Sequence, residues 1–259
     1  TRYSVDSTAT ASGTYASFAL DGSLVYALVH TEVHVLDAST GSALWHASPF
    51  NPRGPVLVDK HGNTFVSWTG SSSAAGLISY DSLGSQRWQT FCHRTQNANY
   101  DVSAIAIDDN SSTYAACYFW DSLWTTVTTK FPAQPTSTQP RAWESRSCSV
   151  GVDPLTVQRQ GGSMEDTPGG ALVVFGGCAV QNNNRASVVA FDSANGTAVV
   201  EFRSFFGERA LATAMAWDNA KGSKSLLESA PPLFVFNDNG ELCAFPFARE
   251  PLCSLPSSL

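Results

Sequence analysis

The sequence predicts an all-β chain assembled from about five copies of a four-stranded unit, and three observations carry that prediction. An apolar hairpin pattern recurs five times along the 259 residues, and a second turn motif, built on Asp and Gly, recurs in the same phase. The composition agrees: 43% of residues are hydrophobic and only 14% are charged, so Ser, Thr, Asn, Gln and Gly must cover the surface. That mix suits strands and turns and argues against long surface helices.

The hairpin pattern is an apolar strand ending in Asp, a turn, and a second apolar strand. It runs first through Phe18-Ala19-Leu20-Asp21-Gly22 into Leu24 to Val29, and next through Val56-Leu57-Val58-Asp59 into Thr64 to Trp68. The third copy is Ile105-Ala106-Ile107-Asp108 followed by Thr113 to Phe119. The fourth is Val150-Gly151-Val152-Asp153, its partner strand delayed to 171–180; the fifth is Ala214-Met215-Ala216-Trp217-Asp218, with Leu233 to Phe236 after an insertion.

Behind each hairpin the sequence expects a third strand, an Asp and a Gly turn, and a fourth strand carrying an aromatic. The clearest copy spans Val33 to Trp45, with Asp37 and Gly41 in its turn; the next spans Leu77 to Trp88, with Asp81 and Gly84. A weaker copy runs from Val188 through Asp192 and Gly196 to Phe202. Asp and Ser satisfy the turn backbone, Gly supplies a positive φ, and the aromatic seals the seam between neighbouring sheets. Four strands per unit at this spacing is the layout of a β-propeller blade, giving approximate blades 14–49, 50–90, 91–147, 148–204 and 205–259 in one domain. An immunoglobulin-type sandwich would leave the phase-locked Asp turns unexplained.

The segment Val35-Leu36-Asp37-Ala38-Ser39-Thr40-Gly41-Ser42-Ala43-Leu44-Trp45 resembles the repeat of the pyrroloquinoline-quinone-type propellers, as does Phe236 to Phe245 around its middle turn. The resemblance implies the propeller fold and a non-enzymatic scaffold. It does not extend to the cofactor: dehydrogenases of that group use a larger ring and a vicinal cysteine pair, whereas no two cysteines are adjacent here. No cofactor is expected.

The six cysteines, Cys92, Cys117, Cys148, Cys178, Cys243 and Cys253, form no C-x-x-C pair, so zinc and thioredoxin-like chemistry find no support. Fifteen connectivities exist in principle; pairing 92 with 117, 148 with 178 and 243 with 253 makes every bridge local. The even count, with N-x-S/T sequons at Asn110 and Asn195, points to a secreted, extracellular or cell-surface protein. The first residues, Thr1-Arg2-Tyr3-Ser4, read as a processed or trimmed end. A net charge of -7 disfavours nucleic acid, and no apolar run reaches the roughly 20 residues of a membrane span.

Candidate binding residues fall in the loops between blades and between second and third strands, at one end of the fold. The segment from Cys92 to Tyr100 is the most site-like: His93, Arg94, Gln96, Asn97 and Asn99 combine polar reach with a disulfide anchor. Trp120 and Trp124 bracket Asp121 at a turn, where indoles could stack on a sugar ring or receive a protein. Asn182, Asn183 and Arg185 offer amides and a guanidinium to glycan hydroxyls. The turn aspartates Asp21, Asp59, Asp108, Asp153 and Asp218 each cap their own turn and cannot converge on a metal or a glycosidic bond. No G-x-S-x-G elbow or H-E-x-x-H helix is present, and the five histidines are dispersed.

The long insertions 131–140, 158–170 and 219–232 emerge at the opposite end and suit ordering against a neighbour. These features rank a non-catalytic interaction or structural propeller first, with other protein subunits as partners. A carbohydrate-binding propeller with extracellular glycans as ligands comes second, because its loops should repeat as faithfully as its turns and do not. A glycoside hydrolase is third.

Overall fold

The computed structural model describes residues 16–29, 31–49, 51–70, 74–93, 100–108, 110–121, 123–148, 150–151, 155–157, 172–176, 178–179, 187–203, 212–217, 233–237, 242–245 and 252–254. Every regular element among them is a β-strand. Sheet one is β1 (Ala16–Asp21), β2 (Leu24–Val29), β3 (Glu32–Asp37) and β4 (Ala43–Ala47), and sheet two is β5 (Pro52–Val58), β6 (Thr64–Thr69), β7 (Ala75–Tyr80) and β8 (Gln86–His93). Sheet three is β9 (Tyr100–Ile107), β10 (Thr113–Asp121), β11 (Leu123–Phe131) and β12 (Trp143–Cys148). All three are antiparallel meanders in sequence order.

The fourth unit departs from the expected pattern. Val150 and Gly151 form β13, which pairs with β16 (Cys178–Ala179) as a two-stranded ribbon. The innermost strand of sheet four is instead β14 (Leu155–Val157), paired with β15 (Leu172–Gly176), then β17 (Ser187–Asp192) and β18 (Ala198–Arg203). The sequence between β13 and β14 contains Pro154, a residue type that cannot donate an N–H to a ladder. Sheet five is β19 (Ala212–Trp217), β20 (Leu233–Asn237), β21 (Leu242–Phe245) and β22 (Leu252–Ser254). Its outermost strand is β22.

Inner strands stack in series, β1 on β5, β5 on β9, β9 on β14 and β14 on β19. Among the described residues the series does not close from β19 back onto β1. Sheet two shows why the apolar alternation weakens in mid-chain: all six residues of β7 are buried, because sheets cover both of its faces. Toward sheet one, Val66, Trp68, Ile78 and Tyr80 meet Tyr26, Leu28, Val33 and Val35. Toward sheet three, Ala75, Leu77 and Cys92 meet Val102, Ile105, Cys117, Val127 and Phe131. Each such fully buried Val, Leu or Phe contributes about 1.5–3 kcal/mol.

Both turn families lie at one end, called here the turn end. In the first hairpin turn of sheet two, Asp59 Oδ1 accepts the backbone N–H groups of His61 and Asn63, each at 2.9 Å. Asp108 repeats this in sheet three, accepting from Asn110 and Ser112 at 2.9 Å. In the later turns, Asp81 takes the N–H groups of Leu83 and Ser85, and Asp192 that of Ala194. Asp37 Oδ1 accepts four bonds, from the N–H and hydroxyl of both Ser39 and Thr40. These carboxylates are consumed locally, as a capping role requires. Asp21, Asp153 and Asp218 have side chains outside the described residues.

Candidate functional site

The seams between sheets follow one rule. Trp45 on β4 donates its indole N–H to Ser82 O in the β7–β8 turn of sheet two, at 3.0 Å. Trp88 on β8 donates to Ala133 O in the β11–β12 connection of sheet three, at 3.2 Å. Trp143 on β12 donates to Ser193 O in the β17–β18 turn of sheet four, at 2.8 Å. The fourth strand of each of these sheets thus latches onto the last turn of the next. Trp45 and Trp88 were legible from the repeat; Trp143 was not, because an insertion replaces the Asp–Gly turn that would have set its phase. That insertion, 131–140, lies against sheet two. Arg87 Nη2 joins Trp88 at Ala133 O, and Arg141 Nη1 donates to Cys92 O at 3.0 Å. Arg141 also pairs with Glu144.

At the turn end of sheets three and four a titratable cluster forms that the sequence did not reveal. The Tyr114 hydroxyl donates to Asp108 Oδ2 at 2.8 Å, and Lys130 Nζ donates to Ser193 O at 2.8 Å while lying 5.3 Å from the Tyr114 ring centroid. Burial, the Asp108 charge and the bond to Asp108 hold the Tyr114 hydroxyl far above its ordinary range. Burial pushes the Lys130 ammonium below its ordinary value, against the opposing pull of Asp108 and Asp192. The Lys130 bond to Ser193 O crosses from sheet three to sheet four, so the cluster acts as a latch. On sheet one, His34 and His46 are register partners with stacked rings 6.1 Å apart, and His34 Nε2 lies 3.1 Å from Glu32 Oε2. That last contact lacks hydrogen-bond alignment. Among the described residues no three His, Cys, Asp or Glu side chains are grouped to hold a metal ion.

At the opposite end, the Cys92–Cys117 disulfide joins the end of β8 to β10, with Cα atoms 6.2 Å apart and both residues fully buried. His93 is the residue after Cys92, and Trp120 lies three residues beyond Cys117, about 10 Å along the strand. Trp120 and Trp124 are register partners, as are Asp121 and Leu123, where β10 and β11 meet. The backbone therefore brings His93, Trp120, Asp121 and Trp124 to one end of the sheet two–sheet three seam. Arg94, Gln96, Asn97, Asn99, Asn182, Asn183 and Arg185 lie outside the described residues.

The side chains of Cys148, Cys178, Cys243 and Cys253 also lie outside them. Their backbone register sets Cys243 opposite Cys253, but pairs Cys148 with Thr126 and Cys178 with Gly151. Cys148 thus belongs to the outer strand of sheet three and is not the register partner of Cys178, as spacing alone had suggested.

Comparison with known proteins reaches the fold and stops there. No protein-family model matches the chain, and no curated protein matches it. Solved structures do. KlAtg21, in its complex with the coiled-coil of AgAtg16, superposes with a TM-score of 0.61 at 10% identity, over 92% of this chain and 68% of that one. A europium-containing methanol dehydrogenase gives 0.56 at 12%, over 91% and 51%. The quinohemoprotein alcohol dehydrogenase ADHIIG of Pseudomonas putida HK5 gives 0.53 at 15%, over 92% and 41%. The fold is propeller-like. The chain spans about two fifths to two thirds of the length of these structures.

Proposed function

We propose that this chain is a non-catalytic interaction module, five four-stranded blades in number, that engages a protein partner through the end bearing Trp120 and Trp124. One observation carries the reading: two tryptophans in register at a hairpin tip, on a strand that a buried disulfide ties to the end of β8. Aromatic pairs on a rigid support are what protein-binding hot spots are made of, since they bury large area at little cost in conformational entropy. The propeller-like structure solved with a coiled-coil segment supports a protein partner for this fold. A cross-linked cysteine pair suits a secreted or surface location, where disulfides persist.

The test is cross-linking mass spectrometry on the purified protein in its native extract, followed by affinity measurement with the partner identified. Trp120→Ala/Trp124→Ala should weaken binding at least tenfold with thermal stability retained. A glycan array on the same protein supplies the opposing outcome. Saturable binding to a defined sugar, lost in the double variant, would make the module a lectin. Turnover of a glycoside would move it to the hydrolases.

A further inference from the structure

We infer that Asn110 and Asn195 both carry N-linked glycans, forming one shielded patch at the turn end of sheets three and four. Asn110 lies in the β9–β10 turn and Asn195 in the β17–β18 turn, and both are exposed. The residue after each is fixed in a seam. Ser111 is buried at φ 61°, and its side chain bonds to the Asp59 carboxylate. Gly196, at φ 74°, lies under the Trp143 indole, where a Cβ would come within 2.5 Å of the ring. Anchored neighbours hold each asparagine out from the surface. The Thr197 N–H donates to Asn195 Oδ1 at 2.8 Å, a bond that engages the amide oxygen and not Nδ2. Asn110 donates its backbone N–H to Asp108 Oδ1.

The two turns share one patch because Tyr114 bridges them, bonding both Asp108 and Ser193. Trp120 lies seven residues along β10 from Thr113, about 24 Å away, at the other end of the sheet. Glycans on the patch would leave that far end clear, a consequence that rests on the interaction reading above; the glycans themselves do not.

The chemistry requires a lipid-pyrophosphate-linked oligosaccharide as donor. The asparagine Nδ2 attacks the anomeric carbon, a C–N bond forms, the C–O bond to pyrophosphate breaks, and the amide proton leaves to a base. Two measurements decide the matter. Protein from its native host, treated with peptide N-glycosidase, should show Asn110 and Asn195 converted to Asp by peptide mapping. Translation into endoplasmic-reticulum microsomes behind an added signal sequence should give a doubly shifted band. Ser112→Ala and Thr197→Ala should each remove one step, and together both, because either change destroys its sequon and leaves the asparagine in place. Unmodified asparagines in the native protein, or microsomal product with fewer than two steps, would overturn the inference. Failure of the partner assay would leave these readouts untouched.

Discussion

Trp45 lies across Gly84. Its indole N–H reaches Ser82 O at 3.0 Å, and a Cβ placed on Gly84 would come 2.9 Å from the ring. The same relationship joins Trp143 to Gly196 two seams further on, with 2.5 Å between that Cβ and the ring. The turn glycine therefore serves twice, supplying a positive φ of 87° or 74° and clearing the space that the indole fills.

Glycine-to-alanine substitution separates those two roles. Gly22 also has a positive φ, of 57°, but nothing lies within 4 Å of an added Cβ. Gly22→Ala should cost about 1 kcal/mol, the conformational penalty alone. Gly84→Ala and Gly196→Ala should cost about 1–3 kcal/mol more, because the indole must move. Chemical denaturation of the three variants checks this, and equal losses would show that the indole yields freely.

The latch itself is testable at Trp143, which is 8% exposed. Trp143→Phe keeps an aromatic in the seam and removes the N–H to Ser193 O, for an expected loss of about 1 kcal/mol. Trp143→Ala empties the seam and should cost about 3–5 kcal/mol. A Phe variant as damaged as the Ala variant would mean that the hydrogen bond, rather than ring packing, holds sheets three and four together.

Acid should loosen sheet one first at its exposed turn. Hydrogen bonds from the Ser39 hydroxyl, the Thr40 N–H and the Thr40 hydroxyl lower the Asp37 carboxyl from an ordinary 3.8 to about 2. A depressed folded-state value stabilises above the unfolded value and loses that contribution as pH falls through the folded one. The window is therefore about pH 4 down to about 2. Asp59 acts in the same direction: burial pushes its carboxyl up, but bonds from Asn63, Ser111 and His61 outweigh that and leave it lowered. Asp37→Asn keeps an acceptor without the titration, so its melting temperature should fall less between pH 5 and pH 2 than the wild type's. Superimposable acid profiles would remove Asp37 from the account.

The Cys92–Cys117 bridge closes a loop of 25 residues across the seam of sheets two and three. Loop-closure entropy for that length gives about 3.5 kcal/mol. Cys92→Ala/Cys117→Ala should lower unfolding free energy by about that amount, measured by urea titration. A loss under about 1 kcal/mol would show that Val102, Val127 and their neighbours hold this seam unaided.

The sequence by itself determined most of the strands, the meander of the first three repeats, the capping carboxylates and two of the three tryptophan latches. Those features are local: alternation, an Asp that bonds amides two to four residues on, and a Gly at a left-handed turn position are each written within a dozen residues. Tertiary structure decided what depended on distant partners. Trp143 became a latch only because Ser193, fifty residues on, brought a carbonyl to it. Tyr114 and Lys130 became a seam cluster only where two sheets excluded water and left each donor one acceptor to choose. The fourth repeat shifted its inner strand from Val150 to Leu155, because Leu155 to Val157 found their ladder partners in Val173 to Phe175, distant in the chain, while Val150 and Gly151 paired with β16.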